Sequence, residues 1–241
     1  MSDHGANEGR GGTGASRFAL YYQPEADEAL ARAGAGWLAG QVLDHDPWPG
    51  WLASPARYGF HATLKAPFRL IEGATANDLA DWAMQRAALM DAFELPALEP
   101  QWFGEFLALR PRDGDPPADS PLRCLADEWV AVLEPWRAEL DAHEIARRDP
   151  ARLSAVQARN LRRWGYPAVF DAWRFHMTLS GPAPAGIDAR ARARLLDRAR
   201  MHFAGALARP VYVQSVCVCV QARQEEPFAI LQRLPLRGFS G

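Results

Sequence analysis

Apolar and polar positions divide the chain into alternating strand-like and helix-like stretches. Residues 17–22 (RFALYY) are a short, mostly apolar run that reads as a strand. Residues 25–43 read as a helix, with Leu30, Trp37, Leu38 and Val42 at helical spacing, although Gly34 and Gly36 are poor helix formers. A Trp- and Pro-rich loop is expected over 46–55 and a strand over 58–64. Residues 77–93 form a second helical pattern, with Leu79, Trp82, Ala83, Ala87 and Met90 along one face. Residues 93–98 and 102–110 read as a strand pair. Beyond 111–121 (PRDGDPPADSP) a helical stripe runs through Leu122, Leu125, Trp129, Val132, Leu133, Trp136 and Leu140. Further helices are expected over 152–164 and 188–207, and strands over 173–179, 211–220 and 228–236.

The breaker-rich segment 112–121 is the best linker in the chain. Strand, helix and two further strands recur on either side of it, which predicts an α+β fold duplicated internally. The expected division is a tail over 1–16, an N-terminal lobe over 17–111, the linker, and a C-terminal lobe over 122–241. The tail holds Gly9-Arg10-Gly11-Gly12-Thr13-Gly14, which matches G-x-G-x-x-G. A dinucleotide site needs a strand before that motif and a helix after it; here a polar terminus precedes it and a strand follows, so the match is rejected.

Composition narrows the function classes. The chain has 241 residues, 49% hydrophobic and 23% charged, with a net charge of −2. These are globular values, and the charge balance argues against a binder of long RNA. Three cysteines make no disulfide framework, no apolar run approaches the length of a membrane span, and no leader-like segment is visible. A cytoplasmic location is expected, with no membrane or obligate protein partner. Of 27 basic residues only Lys65 is a lysine. In a chain so biased toward arginine, a lone lysine invites a specific role, because a compact ammonium is not replaced by a planar guanidinium.

The chemistry-bearing signal is a repeated pentapeptide: Phe60-His61-Ala62-Thr63-Leu64 and Phe175-His176-Met177-Thr178-Leu179. On a strand, side chains alternate, so His61, Thr63 and Lys65 share one face and His176, Thr178 and Ser180 share another. A pseudo-twofold axis would bring the two faces together across a groove. Two imidazoles, two hydroxyls and an ammonium suit phosphoester cleavage. One histidine acts as base and the other as acid, Thr63 and Thr178 donate to phosphoryl oxygens, and Lys65 offsets developing charge. A single buried histidine is usually structural, but a matched pair is a different matter. A zinc site lacks its third and fourth ligands, and Cys217-x-Cys219 reads as strand packing, so no metal or other cofactor is expected. Arg57, Tyr58, Arg162, Tyr166 and Ser180 are candidate substrate contacts beside the motifs.

The pattern resembles the two-histidine (2H) phosphoesterase superfamily, whose signature is two H-x-[T/S] motifs, each followed by an apolar residue. Within it, 57–68 (RYGFHATLKAPF) and the stretch from Arg159-Asn160-Leu161 through Trp164-Gly165-Tyr166-Pro167 to Phe175–Gly181 are similar to a branch named for phosphonate metabolism. The resemblance implies a bilobal fold with two mainly antiparallel sheets flanked by helices around a central groove. It implies hydrolysis of a cyclic phosphate or related small phosphoester without a metal, and a small phosphorylated substrate such as a cyclic ribose phosphate or nucleotide. Two readings stay open beside it: a module that binds a phospho-ligand without turnover, and an RNA 2′,3′-cyclic phosphodiesterase or ligase.

Overall fold

The computed structural model describes residues 16–40 and 47–238. The expected tail up to residue 15 with its glycine motif, and the end of the expected first helix, lie outside the described residues. In chain order the elements are β1 (Arg17–Tyr22), α1 (Ala29–Leu38), α2 (Ala53–Tyr58), β2 (Ala62–Phe68) and α3 (Ala76–Ala87). Then come β3 (Phe93–Glu94), β4 (Leu98–Phe103), β5 (Phe106–Pro111), α4 (Pro121–Val132), α5 (Ala142–Ala146) and α6 (Ala155–Trp164). The chain continues with β6 (Met177–Thr178), α7 (Ala189–Phe203), β7 (Tyr212–Val213), β8 (Ser215–Gln221) and β9 (Ala229–Pro235).

Alternation along β1 and β8 explains the layering. Phe18, Leu20 and Tyr22 of β1, with Val216 and Val218 of β8, enter the main core. Ala19, Tyr21, Cys217 and Cys219 face the opposite way and pack with one another and with Phe228. Seven antiparallel strands form one sheet in the order β4-β5-β6-β2-β1-β8-β9, and β3 pairs with β7 in a second sheet. The architecture is therefore α+β, with two antiparallel sheets flanked by helices. Each sheet takes strands from both halves of the sequence. Across the β2–β6 contact, β1, β2, β8 and β9 lie on one side and β4, β5 and β6 on the other. A division of the sheet at that contact is thus not a division of the chain at 112–121, which runs from the end of β5 into the first residue of α4.

Local chemistry sets the ends of the elements. The helical stripe expected to reach Leu140 stops at Val132, followed by a single 3-10 turn over Glu134–Trp136. Pro135 lacks the N–H and crowds the carbonyl four residues back. The strand expected from residue 58 begins at Ala62, because Tyr58 closes α2 and Gly59 turns the chain at φ 75°. Gly34 in α1 is required by packing: a Cβ there would lie 2.2 Å from the Phe60 ring. Phe60 in turn stacks on Phe203 of α7, and the Trp37 indole donates to the Leu179 carbonyl at 2.7 Å. Helix α1 is thereby fastened to both repeated pentapeptides, and α7 to the first.

Candidate active site

The strand register brings the two motifs together. Ala62 of β2 pairs with Met177 of β6 in antiparallel fashion, the central residue of one H-x-T against the central residue of the other. Continuing that register, His61 lies opposite Thr178 and Thr63 opposite His176. Ala62 and Met177 are buried in the core, so the four flanking side chains share the other face. The Trp173 indole reinforces the junction by donating to the Thr63 carbonyl at 2.9 Å.

Each imidazole is held in the same way. His61 Nδ1 is 2.9 Å from the Gly59 carbonyl oxygen, and His176 Nδ1 is 2.8 Å from the Arg174 carbonyl oxygen. In both cases the partner is two residues upstream and can only accept. Nδ1 therefore carries the proton and Nε2 presents a lone pair. The Thr63 hydroxyl is 3.3 Å from His61 Nε2 and can donate to it. Burial pushes the His61 pKa down to about 4, against the Gly59 hydrogen bond, and the nearby His176 adds to the depression. Burial also lowers His176, opposed by the Arg174 carbonyl and assisted by the Arg110 charge. Both environments favour the neutral ring in the free protein.

A cleft of about 640 Å³ opens beside this face; of the four motif residues Thr63 and His176 line it, with Phe103, Trp173, Arg174 and Tyr166, whereas His61 and Thr178 do not. The His61 ring packs against Tyr21 at a tilt of 31°, ring centroids 3.9 Å apart, with Tyr58 6.4 Å away. His176 instead sits between Phe103 and Phe106, at 5.4 and 5.7 Å. Arg110 covers the Phe103 ring at 4.3 Å. Asp115, from the loop after β5, accepts from Arg110 at 2.6 Å and from Arg174 at 2.8 Å.

The remaining candidates fall into two groups. Tyr166 lines the cleft, and Tyr58 stacks on Phe228 beside His61. Arg57 is exposed at the end of α2. Arg57, Tyr58, Lys65, Ser180 and Arg162 do not line the cleft. Lys65 is buried, with its ammonium 3.1 Å from Glu134 and donating to the Val130 carbonyl at 3.1 Å. The reason is a bulge: Tyr21 pairs with Thr63 but Leu20 with Lys65, so β2 carries one extra residue and the alternation behind the face-sharing expectation breaks. Ser180 is fully buried, accepting from Leu107 N–H and donating to the Gly181 carbonyl, both at 2.9 Å. Arg162 borders a separate pocket with Glu134 and Arg137.

Sequence reasoning missed Tyr21, Arg110, Asp115 and Arg174. Alternation places Tyr21 on the face of β1 opposite Leu20, so that position was readable; Arg110 depends on the pairing of β5 with β6, and Asp115 and Arg174 on how loops fold back. Among the described residues no group of three or more His, Cys, Asp or Glu is placed to hold a metal ion. Cys217 and Cys219 are buried free thiols, both pushed up by burial, Cys217 to about 11. No helix among the described residues is long and apolar enough to cross a membrane.

The molecule is thus an α+β protein whose duplicated H-x-T segments meet on one sheet face beside a cleft. The chain belongs to the family described as "Protein of unknown function (DUF1045)", whose profile matches residues 63–229. It is similar to "Ribose 1,5-bisphosphate phosphokinase PhnN" of Janthinobacterium sp. (strain Marseille), 35% identical over 237 residues, covering 92% of this chain and 51% of that protein. A protein of the same name from Laribacter hongkongensis (strain HLHK9) is 35% identical over 207 residues, covering 81% of this chain and 46% of that protein. The chain spans about half the length of these curated relatives. A solved structure described as "Crystal structure of phosphoesterase" aligns with a TM-score of 0.41 and 14% identity over 92% of this chain and 99% of that one, a likeness too loose to bear on function.

Proposed function

We propose that the cleft opens a cyclic phosphate on a small sugar phosphate or nucleotide by metal-independent acid/base catalysis, in phosphonate-linked metabolism. The observation that carries this reading is the pairing of Ala62 with Met177, which sets His61, Thr63, His176 and Thr178 on one face. Water attacks phosphorus while one Nε2 takes its proton. The P–O bond to the ring oxygen breaks, and the other imidazole, protonated, delivers a proton to that oxygen. The threonine hydroxyls donate to the non-bridging oxygens, whose charge rises in the transition state. Both rings start neutral, and the negative charge of a bound phosphate favours protonation of the one that serves as acid.

The names of the curated relatives support a ribose phosphate as substrate. Opening a 1,2-cyclic phosphate of ribose 5-phosphate at the bond to O2 leaves phosphates on O1 and O5. That product is ribose 1,5-bisphosphate, the compound in the relatives' printed name. The test is 31P NMR of a panel of nucleoside 2′,3′-cyclic phosphates and 5-phosphoribosyl 1,2-cyclic phosphate, with EDTA present and His176→Ala as control. Ring opening by the wild type alone is the expected result. No turnover of any panel member, or equal turnover by His176→Ala, would overturn the proposal.

A further inference from the structure

A second pocket, of about 490 Å³, is lined by Glu134, Arg137, Glu139, Arg162 and Arg163 against an aliphatic wall that includes Leu161. It shares no lining residue with the cleft beside the histidines. Its wall holds an ion cluster whose charges do not balance. Glu134 Oε2 is 3.1 Å from the Lys65 ammonium, and Oε1 is 2.6 Å from Arg137 Nη2 and 3.4 Å from Arg163 Nη1. Three cations share one carboxylate, and among the described residues none of the three has a second carboxylate within ion-pair distance. The inner part of the cluster is withdrawn from water: the Lys65, Arg137 and Glu134 side chains are only 3%, 8% and 14% exposed. Two buried cations against one buried carboxylate leave a positive charge that is costly unless an anion joins it.

The arginines around the pocket have donors left over. Among the described residues the Arg162 guanidinium has no hydrogen-bond or ion-pair partner. Arg163 reaches Glu134 only at 3.4 Å and lies over the Trp164 ring, 4.2 Å from its centroid. Arg137 gives Nε and Nη2 to Glu134 and Nη1 to the Ala138 carbonyl, leaving one N–H on each Nη. Glu139 adds a negative charge at the exposed rim, so four cations face two carboxylates. The dipole of α6 favours cations in its last turn, which accounts for Arg162 and Arg163 as residue types. It does not account for the uncompensated charge of Lys65 and Arg137 beside them. An excess of two positive charges, presented as planar N–H forks, matches a dianionic phosphate.

We infer that this pocket is a binding site for the dianion of a phosphate monoester, held by Arg137, Arg162 and Arg163 and separate from the two histidines. The inference does not depend on the proposed reaction, and the lone lysine of the chain becomes part of the charge that draws the anion in.

That lysine also supplies the test. Protein labelled with 13Cε-lysine gives one resonance, because Lys65 is the sole lysine. Inorganic phosphate is titrated into a His61→Ala/His176→Ala variant, with chloride at matched ionic strength as control. Burial, with Arg137 and Arg163 nearby, depresses the Lys65 pKa against the pull of Glu134. Phosphate in the pocket is expected to raise it by about half a unit or more, and chloride to leave it in place. Calorimetry of phosphate binding is expected to show an affinity at least about 10-fold weaker in Arg162→Gln/Arg163→Gln, with thermal melting establishing that each variant is folded. Phosphate binding that vanishes with the histidines, that leaves the lysine titration unmoved, or that is equal in the arginine variant would overturn the site. Should the histidine variant fail to fold, the lysine titration and the arginine variant decide the question in the parent protein, since Lys65 reports on this pocket and not on the cleft.

Discussion

The two H-x-T segments are alike in how they hold a histidine and different in almost everything around it. In both, Nδ1 is tied to a carbonyl two residues back, leaving Nε2 toward the cleft face. Around His61 the neighbours are phenols, Tyr21 and Tyr58; around His176 they are Phe103 and Phe106, with Arg110 behind. After the threonine, the first segment bulges and sends its lysine into a buried ion pair, whereas the second buries a serine in backbone hydrogen bonds. The shared part is what acid/base chemistry requires of an imidazole: one tautomer, one direction. The divergent part gives the two histidines unlike surroundings. A duplicated motif can therefore hold its imidazoles alike and still be asymmetric around them.

The most forceful test of the symmetric part is removal of each imidazole. If both act in proton transfer, His61→Ala and His176→Ala each lower kcat/KM by about 10²–10⁴. A loss confined to one of them, read by 31P NMR, would break the comparison. The pH dependence sharpens it. Both rings have depressed pKa values, His61 to about 4. A reaction needing one neutral and one protonated ring then peaks in kcat/KM below about pH 6.5, the ordinary histidine value, and declines as alkali removes the acid's proton. A maximum near pH 8 would contradict the environments described.

Lys65 probes the divergent part. Lys65→Met removes one member of a buried pair, but Glu134 keeps Arg137 at 2.6 Å, so the expected destabilisation is about 2–3 kcal/mol by urea unfolding. The folded variant should keep kcat within about threefold of wild type. A loss near 100-fold would make Lys65 a phosphoryl contact after all, since that is the scale of a lost transition-state donor. Gly34→Ala tests the anchoring of the first segment. The added methyl must displace the Phe60 ring, with an expected cost of about 1–3 kcal/mol.

The smallest expected effect belongs to Asp115→Asn. It leaves the Arg110 charge less compensated, so His176 should titrate lower by less than about one unit while His61 stays put. Histidine titration by NMR reads both rings in one experiment. A shift of both, or of His61 alone, would remove Asp115 as a positioning residue for the second segment.

The candidate histidines and threonines were legible because repetition needs no tertiary knowledge: two five-residue segments matching at four positions stand out in any conformation. The α+β class was legible for a related reason, since periods of 2 and 3.6 are local properties of backbone geometry. The errors were also local in origin. The strand over 58–64 began too early because Gly59 alone makes the turn, and the helix to Leu140 ran too far past Pro135. Lys65 was assigned to the wrong face because period-2 alternation holds only while both strands advance in step, and a bulge is set by pairing with a partner strand distant in sequence, Leu20 against Lys65 and Tyr21 against Thr63.

The sequence by itself determined which residues could do chemistry and which segments would be strands or helices, because these follow from side-chain type and backbone period. Tertiary structure alone decided that Ala62 meets Met177, that sheet halves differ from chain halves, and that Lys65 is buried while Tyr21, Arg110 and Asp115 attend the histidines. Those outcomes depend on which strands pair and in what register, a competition among long-range hydrogen-bonding and packing arrangements that no single stretch of chain encodes.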